Sequence, residues 1–483
     1  MSHLNEAAIR NVVTEVLAQL QPAGTASSPA APSIQARPGR HGVFEEAAPA
    51  VSAACGGFEQ LREKGWAART RIVELVKQMC IDNAERWGQI EFEETRIGRL
   101  AHKPLKLQGV KNVLGTEYLA PHGMSGDTGI TMDEAAPWGV IVAITPLPHS
   151  VPTIAGNIVN MVAAGNAIVF NAHPGGAGVA ALAIHEINEA IKAETGISNL
   201  LCTIEKPSLD SFNALCSDPG VDLLCITGGP AVVDAAMKTG KRAICAGPGN
   251  PPVVVDDCQA LDFDRVARDI ITGGGFDNNL LCIGEKQIIA VADAYGKTLQ
   301  ALKRQGAVIL NARQHEAIKN EVFDYKEGVG CGTPVLNRKW VGADPHALAE
   351  IAGLKIDSKV EMLIAETDID DAFVQEEQMM PLLPIVRAGC FDEALRFAKD
   401  SEHGDKHSAM IHTMNVERMT RMGQAMDTTI FVKNGPCVAG LGMGGEGFIS
   451  YSIATTTGEG ITTPRTFTRF RRCTLVDNLN IVS

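Results

Sequence analysis

Apolar and polar residues follow two different periodicities along most of this chain. Short uninterrupted apolar runs, such as residues 140–144 and 223–226, alternate with longer segments in which apolar residues recur every three or four positions. The first pattern is typical of a buried strand and the second of a helix with one apolar face. Strands that alternate with helices at this spacing predict an α/β fold with a parallel sheet covered on both faces.

The alternation extends over two regions. In the first region we predict strands at 140–144, 167–170, 200–203, 223–226 and 243–245, with helices at 153–164, 178–193, 209–215 and 231–239. In the second region, from about residue 261 to 432, we predict strands at 287–291, 308–310, 362–365, 383–386 and 409–412. Ligands of parallel sheets bind beyond the carboxyl ends of the strands, so we expect the functional residues there.

The start of the chain has a different character. Residues 2–20 carry one apolar stripe at helical spacing, whereas residues 21–42 are rich in Pro, Ala, Gly and Ser and form a predicted linker. The folded body begins near Val43. The first helix either docks on its own protein or a neighbouring subunit, or it is a detachable address that inserts its stripe into a partner's groove.

Composition narrows the class of protein. The chain has 483 residues, of which 43 are Lys or Arg and 56 are Asp or Glu, so its net charge is −13. An acidic surface repels phosphate backbones and anionic lipid, and we therefore expect neither nucleic acid nor a membrane as partner. No Asp, Glu, Lys or Arg occurs from Ala135 to His185, but prolines interrupt this stretch, and a buried parallel sheet accounts for it. The 12 cysteines include no CxxC pair, so we expect free thiols.

The segment from Gly273 to Lys286 is the strongest candidate for chemistry. It contains three consecutive glycines, the adjacent Asn278 and Asn279, and Cys282 just ahead of a predicted strand. Glycines let a ligand approach the backbone, asparagines supply neutral donors, and a cysteine in this position can act as a nucleophile. The alternative is a cysteine that only packs.

A second candidate is the strand-to-helix turn at residues 227–230, which reads Thr-Gly-Gly-Pro. A proline in the first turn of a helix, preceded by glycines, leaves backbone amides that can face a pyrophosphate. A tight turn without any ligand has the same sequence signature.

Taken together, the motifs resemble those of the aldehyde dehydrogenase superfamily. Within it they resemble the coenzyme A-acylating branch, the propionaldehyde and acetaldehyde dehydrogenases of bacterial microcompartments. The resemblance covers about residues 43 to 475. It rests on PWGVI at 137–141, AGNAIV at 164–169, TGG at 227–229, AGPGNPP at 246–252, NNLLC at 278–282 and EQMMP at 377–381.

The resemblance implies a Rossmann-type cofactor domain at 43–256 with a β oligomerisation arm near 109–134, followed by an α/β catalytic domain at 257–434. Residues 435–483 would return to the cofactor domain and end in a second arm. Such arms build homo-dimers or tetramers. Residues 1–20 then resemble an encapsulation peptide that binds a shell protein, which implies a place in the lumen of a cytoplasmic microcompartment.

The family motifs also imply roles for individual residues. Cys282 matches the nucleophile, which forms a thiohemiacetal with a small aldehyde and then a thioacyl enzyme, with NAD as the hydride acceptor. His149 stands where the family has an oxyanion-binding Asn. Glu377 matches the residue that binds the nicotinamide ribose. The other positions implied for cofactor binding are Thr145, Pro146, His173, which replaces a Lys of the hydrolytic branch, Thr227, Gly228, Gly229, Ala246 and Gly247.

Ala246 is the departure that points to the acylating reaction. Hydrolytic members carry a Glu here, the general base for the water that cleaves the thioester. General-base help is typically worth about a hundred- to ten-thousand-fold, and alanine provides none. The acyl enzyme is then expected to wait for a thiol, so coenzyme A is the implied co-substrate and acyl-CoA the product.

Two other classes stay open on the residues alone. One is a hydrolytic dehydrogenase that uses Glu285 or Glu376 as base, and the other is a binding or scaffold protein with an inert Cys282. We expect no metal site. His403 and His407 are four apart as in a helical metal pair, but a glycine lies between them and a strand follows.

Overall fold

The computed structural model describes residues 41–326 and 333–480, so the predicted targeting helix and most of the predicted linker lie outside the described residues. The helices in these ranges are α1 (Ala47–Asp82), α2 (Ala84–Thr95), α3 (Lys103–Gly109), α4 (Ser150–Ala163), α5 (Ala177–Thr195), α6 (Leu209–Ser217), α7 (Pro230–Met237), α8 (Phe263–Gly275), α9 (Ala292–Arg304), α10 (Ala312–Val322), α11 (Pro345–Ile351), α12 (Ala372–Gln375), α13 (Phe391–Glu402) and α14 (Val416–Met426). The strands are β1 (Val43–Phe44), β2 (His122–Gly126), β3 (Gly129–Pro137), β4 (Val140–Thr145), β5 (Ala167–Ala172), β6 (Leu201–Ile204), β7 (Leu223–Thr227), β8 (Ala243–Ala246), β9 (Pro252–Val255), β10 (Gln287–Val291), β11 (Val308–Leu310), β12 (Phe323–Lys326), β13 (Thr333–Leu336), β14 (Leu363–Thr367), β15 (Leu382–Ala388), β16 (Ser408–His412), β17 (Ile430–Lys433), β18 (Ile453–Ala454), β19 (Gly460–Ile461) and β20 (Thr468–Val476).

The described chain forms two compact units, and the first contains residues up to 95 together with 104–247 and 449–480. Its six-stranded sheet has the order β1-β6-β5-β4-β7-β8, and every neighbouring pair is parallel. All five strands predicted for this region are present, which confirms the α/β class. From β4 the chain continues to β5 and β6 on one side of this strand, and β7 and β8 lie on its other side. Ligands of such sheets bind beyond the carboxyl ends of the strands where the order changes direction.

Burial explains the long stretch without charged residues. Every residue of α4 is buried, and so is every residue of β4 and β5. A charged side chain in these elements would be costly, because the chain covers them on both sides. Asn166 follows the helix, and its side-chain oxygen accepts the backbone N–H groups of Trp138 and Gly139. In the described ranges, none of the helices has both the length and the apolar content that a bilayer-spanning segment needs.

The second unit contains residues 96–103 and the described part of 248–448. Its seven-stranded sheet has the order β11-β14-β15-β10-β9-β16-β17, and it too is entirely parallel. The five strands predicted here are all present. Strands β9 and β17 were not predicted: β9 begins at a proline and lies before residue 261, where the second region was expected to start, and β17 lies at the end of that region.

The predicted domain boundaries at 256/257 and 434/435 differ from the divisions between the two units, which fall at 247/248 and 448/449. Strand β9 accounts for the first difference, because it pairs with both β10 and β16 and so belongs inside the second sheet. The second difference arises because the chain after residue 434 packs on β17. A Cβ atom at Gly440 would lie 2.4 Å from the side chain of Ile430.

A separate three-stranded sheet in the first unit corresponds to the predicted arms. Strand β3 pairs antiparallel with β2 on one side and with β20 on the other. The arm was expected near 109–134, but the helical turns there continue to residue 119, and the strands run from 122 to 137. Oligomerisation through these strands stays a prediction.

Candidate active site

The residues predicted to function fall into two groups, one in each unit. The first unit holds Thr145, Pro146, His149, His173, Thr227, Gly228, Gly229, Ala246 and Gly247, and the second holds Cys282 and Glu377.

In the first unit, parallel pairing brings the predicted cofactor residues to one edge of the sheet. Thr145 ends β4, Thr227 ends β7 and Ala246 ends β8, and Thr227 pairs directly with Ala246. His173 follows β5, where its backbone N–H donates to the carbonyl of Thr145 at 3.1 Å. Four different strands therefore deliver these residues to the carboxyl edge.

The turn at Gly228 and Gly229 has open space beside its backbone. A Cβ atom added at Gly229 would meet nothing within 4 Å, and one at Gly228 would meet only Val232, at 3.8 Å. Gly229 caps the amino end of α7, with Pro230 at its first position. Helix amino ends favour phosphate groups, so this turn fits the pyrophosphate of a nicotinamide dinucleotide.

His149 lies at the amino end of α4 and is buried. Lys106 lies 3.0 Å from its Nδ1 atom and also donates to the carbonyl of Pro148 at 2.9 Å. A lysine ammonium group has only donors, so Nδ1 accepts and the hydrogen of the neutral imidazole is on Nε2. His149 therefore has the tautomer in which Nε2 can donate a hydrogen bond, as the predicted oxyanion role requires.

His173 also has a fixed orientation. Its Nδ1 atom accepts the backbone N–H of Gly175 at 3.1 Å, which closes a short helical turn after β5. A neutral imidazole held in this way offers a single Nε2 donor, whereas the lysine that it replaces has three.

In the second unit, Cys282 follows a turn with an unusual backbone. The residues Asp277, Asn278 and Asn279 have φ angles of 49°, 56° and 62°, a left-handed region that non-glycine residues rarely adopt. Side chains hold this conformation in place. Asp277 accepts the backbone N–H of Arg99 at 2.8 Å, and Asn278 donates to the carbonyl of Gly342 at 3.0 Å.

The turn corrects two sequence interpretations. The paired asparagines were expected to offer donors to a ligand, but Asn278 and Asn279 both donate to backbone carbonyls of the protein. The glycines were expected to let a ligand approach, but they form the end of α8. A Cβ atom at Gly273 would lie 2.1 Å from a carboxyl oxygen of Glu285. The asparagines therefore hold the backbone of the turn, and Gly273 leaves space for the side chain of Glu285.

Cys282 is half-buried, and three influences act on its thiol. The pKa of the Cys282 thiol is raised to about 12, mainly by burial and also by the negative charge of Glu377. Lys286 and the backbone N–H groups of Cys282 and Ile283 lower it. A thiolate at this position therefore depends on nearby positive charge.

Lys286 is the residue that sequence reasoning missed. It is fully buried, and its Nζ atom donates to the carbonyl oxygen of Asn279 at 2.8 Å and to the side-chain oxygen of the same residue. Burial raises the pKa of Glu377 to about 6, while Lys286 and the N–H of Gly249 lower it. A lysine placed immediately before a buried strand was the available signal in the sequence.

Glu285, one of the alternative bases, is enclosed by the protein. Its side chain is 0% exposed, and one carboxyl oxygen accepts the backbone N–H of Cys437 at 2.9 Å. Burial raises the pKa of Glu285 to about 7. Glu376 is half-buried, and burial raises the pKa of its carboxyl as well.

The three neighbouring histidines occupy different kinds of structure. His403 ends α13 in a left-handed conformation, whereas His407 precedes β16 and His412 ends it. Burial and Lys286 lower the pKa of His407 to about 4, so it is neutral near pH 7. Among the residues that the structure describes, no three metal-ligand side chains gather in one place.

Comparisons with known proteins define the class. Residues 29–316 match the aldehyde dehydrogenase family. Over 481 residues the chain is 39% identical to the acetylating acetaldehyde dehydrogenase EutE of Salmonella typhimurium, and the alignment covers 99% of this chain and 100% of the relative. The chain therefore belongs to the aldehyde dehydrogenase family, which confirms the resemblance inferred from its motifs.

Solved structures support the same conclusion. The propionaldehyde dehydrogenase of Rhodopseudomonas palustris, solved with bound CoA and an acylated cysteine, is 39% identical with a TM-score of 0.87, over 91% of this chain and 99% of that one. A propionaldehyde dehydrogenase from the fucose utilisation microcompartment of Clostridium phytofermentans is 40% identical with a TM-score of 0.88, over 92% of this chain and all of that one.

The buried carboxyl of Glu285 predicts a pH-dependent effect on stability. Since its pKa rises from 4.5 in the unfolded chain to about 7 on folding, the folded state loses stability as the pH rises through this interval. We expect Glu285→Gln to gain up to about 3 kcal/mol over the wild type between pH 5 and pH 8, measured by urea unfolding. The same change at exposed Glu350 is the control, and an identical pH dependence in both variants would contradict the prediction.

Proposed function

We propose that this chain is a CoA-acylating aldehyde dehydrogenase, which converts a short-chain aldehyde, NAD+ and coenzyme A into acyl-CoA and NADH. The observation that carries the proposal is Ala246. It ends a strand at the cofactor edge of the first unit, where the hydrolytic branch has its general base, and its methyl group accepts no proton. The relatives named above support the same reaction.

Cys282 is the proposed nucleophile. Its sulfur forms a bond to the aldehyde carbonyl carbon, and the carbonyl oxygen takes on negative charge. His149 is the proposed side-chain donor to that oxygen, by its position in the family motif and its Nε2 hydrogen. Loss of one oxyanion donor typically costs about 2.7 to 4 kcal/mol of transition-state stabilisation.

The carboxyl edge of the first sheet is the proposed place for the dinucleotide. Gly228 and Gly229 suit its phosphates, and Thr145, Pro146, His173 and Gly247 complete the proposed contacts. Glu377 is the proposed ligand of the nicotinamide ribose, since a carboxylate accepts bonds from both hydroxyls. A bound nicotinamide supplies the hydride acceptor of the reaction.

Release of the acyl group decides the product. After oxidation the acyl carbon is bonded to the sulfur of Cys282 as a thioester. In our proposal no base equivalent to the hydrolytic glutamate activates water, because position 246 is alanine and Glu285 is enclosed in the protein. The sulfur of coenzyme A attacks instead, a new carbon–sulfur bond forms, and Cys282 leaves as a thiolate.

The relatives also support a proposal on the place of action. Since a similar enzyme comes from a bacterial microcompartment, we place this chain in the lumen of such a compartment, with propionaldehyde or acetaldehyde as substrate. Residues 1–20 are the proposed contact to a shell protein, because their apolar stripe and the linker after them suit a detachable helix. The β arms are the proposed contacts of a homo-dimer or tetramer.

A coenzyme A dependence test addresses the reaction directly. With propionaldehyde and NAD+, we expect steady NADH formation only when coenzyme A is present, with propionyl-CoA as product. Cys282→Ala should lose more than about a thousandfold of this rate. Cys258→Ala, at a half-buried cysteine of the same unit, is the matched control and should keep it. Free propionate formed at the full rate without coenzyme A would refute the proposal.

Position 246 offers a second test. We expect Ala246→Glu to release measurable carboxylic acid in the absence of coenzyme A, because the new carboxylate can act as general base for water. Ala246→Gln has a side chain of the same size without a base and should release none. Unchanged partition between acid and acyl-CoA in both variants would count against the role given to this position.

The proposed address is tested by deletion of residues 1–20. The shortened chain should keep its coenzyme A-dependent activity but no longer co-purify with assembled shells. A folding defect after the deletion would instead support the alternative, in which the helix docks on its own protein.

A further inference from the structure

Lys286 is a buried lysine that the proposed mechanism does not use. It lies four residues after Cys282, directly before β10, and is 0% exposed. Burial of a lysine is expensive unless its charge is paired and its hydrogen bonds are made. The contacts of this side chain therefore indicate its role.

The hydrogen bonds of Lys286 attach it to the turn that precedes the nucleophile. Its Nζ atom donates to both oxygens of Asn279, the carbonyl and the side-chain amide. The amide nitrogen of Asn279 in turn donates to the carbonyl of Glu285 at 2.8 Å. Lys286 thus holds Asn279, the last left-handed residue of the turn, against the start of β10. Asn279 lies three residues before Cys282.

The electrostatic neighbours of Lys286 are two cysteines, two carboxyls and one histidine: Cys282, Cys437, Glu285, Glu377 and His407. Burial raises the pKa of Cys437 and lowers that of His407, so neither carries a negative charge near pH 7. Glu285, with a pKa of about 7, is ionised in part, and Glu377, with a pKa of about 6, is the main counter-ion. Cys282 joins them once its thiol has lost its proton.

We propose that Lys286 is a positioning residue for Cys282, holding its turn through Asn279 and carrying the positive charge that pairs with the reactive thiolate. This inference rests on the proposed function, in which Cys282 is the nucleophile. The sulfur–hydrogen bond breaks with its electron pair left on sulfur, and the proton leaves to water. The ammonium group of Lys286, which is already charged, then pairs with the thiolate, so that the two buried charges cancel.

The test is the pH dependence of Cys282 alkylation by iodoacetamide in the full-length protein, followed by mass spectrometry of the Cys282 peptide. Lys286→Met should raise the midpoint by about one pH unit, which means about tenfold slower alkylation at pH 7. Lys103→Met is the matched control, because Lys103 is equally buried and contacts Asp277 in the same turn at 3.5 Å. Its midpoint should not move, and equal shifts in both variants would overturn the role of charge.

Lys286→Gln keeps the inference testable if Lys286→Met fails to fold, because its amide is polar but carries no charge. Its midpoint should also rise by about one pH unit, with about tenfold slower alkylation at pH 7. An unchanged midpoint would overturn the role of charge. Coenzyme A-dependent NADH formation by the same wild-type preparation distinguishes this inference from the proposed function. Turnover together with unchanged midpoints in the variants would refute only the role of Lys286. Absence of turnover would refute the proposed function.

Discussion

Burial of charge is the constraint on which the second unit depends. A lysine and several carboxyl groups lie inside the protein around one half-buried cysteine, and each buried charge left without a partner would cost several kcal/mol. The chain meets this requirement with backbone groups: Asn279 accepts from Lys286, and Glu285 accepts from Cys437. The left-handed turn before Cys282 is held by the same network, because Lys286 also donates to the side-chain oxygen of Asn279.

In the first unit the corresponding constraint is the parallel sheet. Because its strands are parallel, their carboxyl ends lie at the same edge. Residues far apart in sequence therefore become neighbours through backbone pairing alone. His149, His173 and Ala246, the departures from the family motifs, all lie just beyond or at the ends of strands. Residues at such positions can change while the buried strands stay intact, which is how one fold can support different reactions.

Elements with a clear local pattern were predicted correctly from the sequence. All ten predicted strands exist, because an uninterrupted apolar run between two helical segments has few other solutions in a covered sheet. The prediction failed for β9, which begins with proline and lies outside the two regions in which strands were predicted. It also misread Asn278 and Asn279 as ligand donors, because their partners are carbonyl groups that only folding brings near.

By itself, the sequence determined the α/β class, the family and the cysteine that matches the nucleophile, since apolar periodicity and short motifs are local properties of the chain. Only the tertiary structure decided that Lys286 interacts electrostatically with Glu377, His407 and Cys437. These residues are separated by many strands and helices. Their burial, and therefore their protonation, depends on how those elements pack, which no local pattern encodes.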